Sequence, residues 1–360
     1  DILGHDDPTM IRMLQDLTGV DPLTIPLDGQ DVMSLFQNTD ALGITPEQIG
    51  GIRLGLLGIP EFGTEFAMQM VIDAKPQAFS DLVRISGLSH GTDVWLGNAK
   101  DLIMSGTATI STAVCTRDDI MLYLMQMGVE PGLSFTIMES VRKGKGLKDE
   151  WIAEMKAHDV PDWYVGSCKK IKYMFPKAHA AAYVMMAWRI GYCKIHYPLA
   201  YYAAFFSIRA KAFSYSMMCQ GQAHLESLMG AYKRRMEAVA NKEPGAEPLS
   251  NKEELSYNDM KIVLEMYARG YEFVPIDVFT ANSRSFKIVD GKLMPSINSI
   301  DGLGEKVADS IVEAAKEGPF LSKDDFRERA KVSKTVVDLM ASLGLLGNLP
   351  ESNQLSLFDF

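Results

Sequence analysis

Apolar residues recur along most of this chain at the spacing of helices, and one stretch is apolar on nearly every face. It covers residues 178–195 and lies between Pro176 and Pro198, where proline favours the first turn of a helix. A helix that is apolar all round is usually buried. The pattern therefore predicts a central buried helix over 178–195 and a second helix over 199–209.

The remaining pattern predicts further helices and few strands. The expected helices cover 65–73, 76–103 (two helices around a glycine-rich elbow), 118–127, 131–142, one amphipathic helix over 151–175, and most of 210–268. Residues 242–254 are polar without an apolar period, which favours a loop. Alternation over 270–297, with Asp290 and Gly291 at a turn, predicts a short strand pair. The expected fold is mainly α with a short β pair.

Composition narrows the class of protein. A length of 360 residues predicts two or three domains, and a start at Asp1 instead of Met predicts a piece of a longer chain. No apolar run of about 18 residues and no signal peptide is present, so we expect no membrane association. Four separated cysteines without a C-x-x-C pair favour neither zinc nor disulfides and fit a reducing cytoplasm. The net charge of −10 argues against general nucleic-acid binding, but local basic clusters lie at 142–146, 169–172 and 233–235.

Three stretches are candidates for chemistry. Lys177 and His179 start the central helix, where free N–H groups and the helix dipole attract anions; they are otherwise ordinary first-turn residues. Residues 142–146 (RKGKG), here called the basic loop, form either a solvated helix end or a grip on a ligand, because glycines allow close backbone approach. Residues 86–99, here called the elbow, form either a plain helix–helix loop or the lining of a nucleotide pocket.

The sequence FPKAHAAAYVMMAWRIGYCKIHYPLAYYAAFF, which starts at Phe175, resembles the fingers of bacterial family C replicative DNA polymerases. Those enzymes carry an F-x-K-x-H-x-A-A-Y helix followed by K-x-H-x-P. The matching positions are Phe175, Lys177, His179, Ala181, Ala182, Tyr183, Lys194, His196 and Pro198. The elbow sequence GLSHGTDVWLGNA resembles the PolC-type subclass.

The resemblance implies that basic residues grip the triphosphate of an incoming dNTP, since phosphoryl transfer depends on positioning and charge stabilisation. It also implies that a guanine-mimicking anilinouracil inhibitor binds near the elbow. The implied nucleotide-binding residues are Ser86, Ser89, His90, Arg117, Arg142, Lys143, Lys145, Phe175, Lys177 and His179.

Asp1 begins the segment DILG, which resembles the end of a palm strand in the same family. The resemblance implies that Asp1 is one of three catalytic aspartates that hold two Mg²⁺ ions. The other two aspartates are expected upstream of this chain. A single aspartate does not build the site, so we expect the isolated chain not to polymerise.

Near the C-terminus, Ile300-x-Gly302-Leu303-Gly304 precedes a predicted helix and resembles a helix-hairpin-helix. Such glycines let backbone amides reach a DNA phosphate without reading sequence, and Lys306 adds a cation. A plain pair of packed helices is the alternative. A degenerate second copy is expected over 333–349.

The last residues read QLSLF, with Gln354, Leu355, Ser356, Leu357 and Phe358. They follow a proline and small polar residues, which favours a flexible tail. Composition alone allows two roles for its apolar residues: they either pack back onto the chain or bind in a groove of a partner protein. The segment resembles the motif that binds the bacterial β sliding clamp, and its terminal position is the PolC-type arrangement.

Together these features identify the chain as resembling the C-terminal part of a PolC-type DNA polymerase III α subunit. Its expected function is template-directed DNA synthesis on primer–template DNA, with other replisome subunits, in the nucleoid-associated replisome of the bacterial cytoplasm. The expected divisions are palm end 1–20, fingers 21–212, helical extension with strands 213–292, helix-hairpin-helix domain 293–349 and clamp-binding tail 350–360. The alternatives are a non-catalytic DNA-binding adaptor that recruits the clamp, and a base-excision enzyme with Asp324 or Asp325 as catalytic acid.

Overall fold

The computed structural model describes residues 5–352, and helices dominate it. The helices up to the central one are α1 (Asp7–Thr18), α2 (Gln30–Ser34), α3 (Glu65–Ala74), α4 (Phe79–His90), α5 (Lys100–Met104), α6 (Arg117–Gln126), α7 (Pro131–Arg142), α8 (Asp149–Ala157), α9 (Asp162–Lys170) and α10 (Lys177–His196). Those that follow are α11 (Pro198–Ala204), α12 (Tyr215–Met218), α13 (Gln222–Ala240), α14 (Asn251–Ala268), α15 (Glu305–Lys316), α16 (Lys323–Ala330) and α17 (Lys334–Ser342). The mainly α fold class is confirmed.

Contacts divide the chain into two units. The first comprises residues up to 11, then 20–46 and 52–195, and the second comprises 12–19, 47–51 and the residues from 196 onward.

Three expected elements differ in the structure. The elbow was expected to be a loop between two helices, but Ser86, Ser89 and His90 lie at the end of α4, and the non-helical chain begins at Gly91. The amphipathic helix expected over 151–175 is two helices, α8 and α9, followed by extended chain. Asp159 adopts a left-handed backbone (φ 59°) and Pro161 begins the turn into α9, because proline cannot continue a helix. In addition, α14 begins inside the polar stretch expected to be a loop, since Ser250 and Glu253 form a capping box at its start.

Helix α10 is the core element of the first unit. None of its residues from 179 to 195 is exposed, which confirms the prediction of a buried helix. The indole of Trp188 packs between Phe36 and Phe79 and donates a hydrogen bond to the Pro26 carbonyl at 2.8 Å. Lys194 is fully buried, and its ammonium donates to the carbonyls of Gly55 at 2.8 Å and Leu57 at 2.7 Å.

The second unit contains the strand pair and the hairpin. Strands β1 (Lys287–Val289) and β2 (Lys292–Met294) pair antiparallel, with Val289 opposite Lys292. Asp290 and Gly291 both have positive φ, as the two-residue turn requires, so the predicted hairpin is confirmed. One apolar cluster joins the segment before α15 to α15, α16 and α17; among its members are Ile297, Ile300, Ala308, Ile311, Phe326, Val337 and Met340.

Asp259 of α14 is a buried carboxylate in the second unit. Its Oδ2 accepts the N–H groups of Lys211 at 2.9 Å and Ala212 at 2.7 Å. Burial raises the pKa of Asp259 to about 6, while the two hydrogen bonds act to lower the pKa. The carboxylate therefore fixes the chain at 211–212 at the cost of desolvation.

Candidate functional site

Residues 171–176, here called the connecting segment, link α9 to α10 and gather the candidate residues of the first unit. The segment is not helical, so its backbone groups bond to other parts of the chain. These bonds are Thr92 N–H to Tyr173 O (2.9 Å), Lys172 N–H to Thr92 O (3.0 Å), Arg117 N–H to Phe175 O (3.2 Å) and Met174 N–H to Arg142 O (3.3 Å). The elbow, the start of α6 and the end of α7 thus meet along one short stretch.

The basic loop carries three cations, and one acid organises two of them. Glu139 on the last turn of α7 bonds Arg142 through two nitrogens and Lys143 at 2.8 Å. The hydrogen bonds from Arg142 and then Lys143 lower the pKa of Glu139 to about 2. Lys145 is exposed and makes no ion pair within residues 5–352, so its charge is available to a ligand.

Gly144 lets the basic loop touch the connecting segment. Its φ is 69°, and an added Cβ would lie 2.5 Å from the Lys172 carbonyl oxygen. No side chain fits in that gap. Glycine is therefore required both for the left-handed conformation and for the close approach.

The start of α10 already binds carboxylates. The backbone N–H of Lys177 donates to Asp118 Oδ2 at 2.6 Å, and the Lys177 ammonium lies 3.4 Å from Asp119 Oδ1. Arg117 Nε lies 4.0 Å from Asp118. This helix N-terminus thus attracts anions, as the sequence predicts, and its first free amide is held by Asp118. A phosphate near it would meet chiefly the side chain of Lys177, which is 40% exposed.

Aromatic rings form a row beside these cations. Ring centroids lie 5.3 Å apart for Tyr173 and Phe175, 5.0 Å for Phe175 and His179, and 4.5 Å for His179 and Tyr183. The His5 ring continues the row, 4.6 Å from Tyr183. Burial lowers the pKa of His179 below its usual value, so His179 is mainly neutral at pH 7.

The elbow places polar groups against the same row. The ring of His90 lies edge-on to Phe175 at 5.5 Å. Its Nδ1 lies 2.8 Å from the Ser86 carbonyl oxygen and 2.9 Å from Ser89 Oγ. Its Nε2 lies 3.1 Å from the Glu61 carboxylate, which also accepts the Ser86 hydroxyl at 3.3 Å. Ser89, His90 and Phe175 therefore lie together, with Glu61 and the buried Ser86 behind the His90 ring.

Four acids of this region were not identified as site residues from the sequence. Asp118 and Asp119 read only as the start of a helix, and Glu139 and Glu61 gave no signal. Glu139 contacts Arg142, one helical turn away. The other three acids contact site residues that are distant in the sequence: Asp118 and Asp119 contact Lys177, and Glu61 contacts His90. The three acids Asp118, Asp119 and Glu139 oppose the five cations Arg117, Arg142, Lys143, Lys145 and Lys177, which leaves a positive surplus.

The hairpin in the second unit places its glycines as the sequence predicts. Gly302 has φ 85°, and Gly304 directly precedes α15 without a side-chain cap. The side chain of Leu303 is 8% exposed and belongs to the apolar cluster, so only its backbone can face a ligand. Asp301 accepts the hydroxyls of Ser214 and Ser216 at 2.8 and 2.7 Å and so fixes the turn.

The flanks of the hairpin have mixed charge. Arg284 pairs with Glu305 at 2.9 Å and with Asp309, both on α15. Lys306 makes no ion pair within the described part of the chain. A ligand at the start of α15 would therefore find backbone amides and Lys306, beside a neutralised Glu305.

Two predicted sites lie outside the described residues. These are Asp1, the proposed metal ligand, and the clamp-binding residues Gln354, Leu355, Ser356, Leu357 and Phe358. Among residues 5–352, no group of three or more His, Cys, Asp or Glu side chains could hold a metal ion. Within the same range, no helix is long and apolar enough to cross a membrane.

Two family models match parts of this chain, and several curated proteins are similar to it over its whole length. The family model for the bacterial DNA polymerase III alpha subunit finger domain matches residues 7–159, and a helix-hairpin-helix motif model matches residues 270–355. DNA polymerase III PolC-type of Oceanobacillus iheyensis and of Bacillus cereus are each 53% identical over 358 residues, which is 99% of this chain and 24% of each relative. The protein of that name from Streptococcus pneumoniae is 54% identical over 365 aligned positions, 100% of this chain and 24% of the relative.

The chain thus spans about a quarter of the length of these curated relatives. The finger-domain match covers the elbow, α6 and the basic loop, and the hairpin match covers Gly302 and Gly304. The chain therefore belongs to the bacterial DNA polymerase III alpha subunit family, in its PolC-type branch, and carries the finger domain and a helix-hairpin-helix motif.

Proposed function

We propose that this chain supplies the dNTP-binding fingers of a replicative DNA polymerase, which adds dNMP to a primer 3′ end opposite a template and releases pyrophosphate. One observation carries the proposal. The connecting segment brings five cations from α6, the basic loop and α10 to the same place as a row of aromatic rings. A triphosphate needs the cations, and a nucleobase needs the rings and the polar groups of the elbow.

The arrangement suits phosphoryl transfer. Such reactions depend on holding the phosphates and on stabilising their charge. Lys177 and Lys145 offer exposed ammonium groups, while Arg142 and Lys143 are held in position by Glu139. Preorganised cations lose less conformational freedom when the ligand binds.

The base is proposed to lie against Phe175, within reach of Ser86, Ser89 and His90. Phe175 supplies an aromatic surface, and the His90 ring and the Ser89 hydroxyl of the elbow lie beside it. A guanine-mimicking anilinouracil inhibitor would occupy the same surface. His179 next to Phe175 would meet the nucleotide as a neutral imidazole.

Two Mg²⁺ ions are part of the proposal for the whole enzyme, with Asp1 as one ligand. The described residues do not fit a metal site by themselves, since they contain no suitable cluster. The further carboxylates would come from elsewhere in the polymerase.

The second unit is proposed to contact duplex DNA through the backbone of Gly302 and Gly304 with Lys306. The QLSLF segment is proposed to bind the β sliding clamp, in company with other replisome subunits in the bacterial cytoplasm. Residues 213–292 would connect the fingers, 21–212, to the hairpin domain, 293–349.

A non-catalytic adaptor would need only the hairpin and the clamp-binding segment. The cation group around residues 171–176 argues against it, because an adaptor has no use for a triphosphate site. The base-excision alternative is weakened by Asp325, which accepts the Leu321 N–H at 2.9 Å and pairs with Arg329 at 3.4 Å, as a helix-capping residue does.

The test is calorimetric binding of dGTP with Mg²⁺ to the chain, to Lys177→Ala and to Lys156→Ala. Lys156 is the matched control, because it pairs with Asp162 at 3.1 Å outside the site. We expect Lys177→Ala to weaken binding about tenfold, the effect of one charge-assisted phosphate contact, and Lys156→Ala to leave binding unchanged. Equal affinity of all three proteins would contradict the proposed role of Lys177.

Failure of the wild-type chain to bind dGTP would remove the support for a nucleotide site in this chain. The same measurement on a longer protein that includes the residues preceding Asp1 in the relatives would then separate an incomplete site from an adaptor. Restored binding would favour the polymerase, and continued failure would favour the adaptor.

A further inference from the structure

Glu61 is an acid beside the candidate site to which the proposed function gives no role. It lies in the loop of residues 58–63, and its side chain is 10% exposed. Its Oε2 is 3.1 Å from His90 Nε2 and 3.3 Å from the hydroxyl of Ser86. One carboxylate oxygen thus contacts two residues of the elbow: His90, which is partly exposed beside Phe175, and the buried Ser86.

The backbone at Glu61 is in an unfavourable conformation. Its φ is 69°, a left-handed value that non-glycine residues seldom adopt. Such a conformation persists only where the surrounding structure enforces it, and it is concentrated at functional sites. A glycine at this position would adopt the same backbone without strain but would carry no carboxylate.

The surrounding structure enforces this loop from two sides. At its start, buried Lys194 donates to the carbonyls of Gly55 and Leu57. At its end, Phe62 is buried against Phe36, with ring centroids 5.1 Å apart, and a Cβ on Gly63 would lie 2.8 Å from the Ile59 carbonyl oxygen. The side chain between these fixed points is aimed at His90.

The other ring nitrogen of His90 is also held. Nδ1 lies 2.8 Å from the carbonyl of Ser86, so the two nitrogens have partners on opposite edges of the ring. A ring held at both edges cannot rotate freely. Its orientation against Phe175 is then set before a ligand arrives.

We propose that Glu61 is a positioning residue of the nucleotide site, which fixes the orientation of the His90 ring beside Phe175 for the incoming base. The proposal rests on the proposed nucleotide-binding function. Glu61 acts through His90 and is not itself assigned a contact with the nucleotide. Lys194 supports it indirectly, because it fixes the carbonyls from which the loop departs. Lys194 is the lysine of the K-x-H-x-P sequence, and its role here is to fix the start of the loop that carries Glu61.

Two substitutions separate positioning from stability. Glu61→Gln keeps the shape of the side chain and removes the charge. Glu61→Gly removes the side chain and relieves the left-handed backbone. The matched control is Glu154→Gln, which breaks a similar pair, Glu154 with His158 at 3.2 Å, outside the site.

The experiment uses the full chain and two readouts. The ¹⁵N signals of the His90 ring, assigned by their loss in His90→Gln, are recorded without nucleotide, and the Kd for dGTP is measured by calorimetry. We expect both Glu61 variants to shift the His90 signals and to raise the Kd about five- to tenfold. We expect Glu61→Gly to melt no lower than Glu61→Gln, and Glu154→Gln to change neither His90 nor the Kd.

Unchanged His90 signals, or a Kd within twofold of wild type in both variants, would overturn the proposal. A loss of affinity that follows the melting temperature alone would also overturn it, since that outcome indicates only a structural role. If wild type bound no dGTP, this chain would lose its support as a nucleotide site and the longer protein would decide the proposed function, whereas the orientation of His90 by Glu61 would still stand or fall on the ring signals.

Discussion

At the scale of single residues, Lys194 shows how a charged side chain can be structural. Its stem lies in the core and its ammonium meets two carbonyl oxygens that have no water to replace it. Burying an ammonium costs solvation free energy, and the two hydrogen bonds offset that cost. The two hydrogen bonds therefore matter mainly because a buried ammonium without them would be very unfavourable, and less because they add net stability.

Lys194→Met tests this account. The substitution keeps an unbranched stem but removes the two hydrogen bonds that Lys194 donates to the buried carbonyls of Gly55 and Leu57, so we expect the free energy of unfolding to fall by about 2 kcal/mol. The measurement is urea denaturation followed by tryptophan fluorescence, because Trp95, Trp151, Trp163 and Trp188 are all in the first unit. Lys170→Met is the control: its ammonium donates to the Gly97 carbonyl at 2.7 Å on the surface, and water can replace it. Equal losses in both variants would contradict the role of burial.

Asp259 predicts a pH dependence in the second unit. Its pKa is raised from the ordinary 3.8 to about 6, so the folded chain binds the proton more readily than the unfolded chain. The stabilisation from that proton is complete below pH 4 and is lost as the pH rises through about 6. Asp259→Asn keeps an oxygen acceptor for the N–H groups of Lys211 and Ala212 without the charge.

We therefore expect Asp259→Asn to exceed wild type in stability by on the order of 2 kcal/mol at pH 8, and the difference to vanish near pH 4. Calorimetric melting between pH 4 and 8 measures it. Asp277→Asn is the control, an exposed carboxylate that accepts the Phe279 N–H at 3.0 Å. A difference for Asp259→Asn that did not change with pH would argue against the buried charge as its cause.

At the scale of elements, the basic loop depends on a single close approach. Gly144 and Gly146 have similar left-handed backbones, with φ 69° and 76°. A Cβ at Gly144 would meet the Lys172 carbonyl at 2.5 Å, whereas one at Gly146 would meet nothing within 4 Å. Alanine at Gly146 therefore tests backbone strain alone, whereas alanine at Gly144 tests backbone strain together with the steric clash.

We expect Gly144→Ala to cost about 2 kcal/mol more stability than Gly146→Ala, because only the first forces the loop away from the connecting segment. We also expect only Gly144→Ala to weaken dGTP binding, since Arg142 and Lys145 would move with the loop. Urea denaturation and calorimetry give the two quantities. Equal effects from both substitutions would show that the left-handed backbone matters and that the close contact of Gly144 with the Lys172 carbonyl does not.

The helices were predictable because their ends carry local signals. Pro131 and Pro198 start helices as expected, and the Asp290–Gly291 turn follows from residue type alone. The start of α14 was not predicted, although Ser250 and Glu253 form a capping box that is visible in the sequence. The polar composition of the surrounding residues favoured a loop instead. The break at Pro161 was missed for a similar reason, since apolar spacing continued across it.

At the scale of the whole molecule, what sequence reasoning could not supply is pairing over long separations. Thr92 bonds Tyr173, and Lys177 meets Asp119 58 residues away. No local pattern specifies such contacts, because they depend on how helices pack. The family resemblance supplied the basic residues, whereas the acids that hold them, and Glu61, required the structure.

The connecting segment has a consequence for observing this molecule. The amide hydrogens of Lys172, Met174 and Lys177 bond to Thr92 of the elbow, Arg142 of α7 and Asp118 of α6, so each exchanges with solvent only when that partner separates from it. A single peptide spanning residues 171–177 would thus report, by its rate of deuterium uptake, on three parts of the chain at once. A ligand that binds to the elbow, to α6 or to α7 would therefore slow deuterium uptake by this peptide even without contacting it.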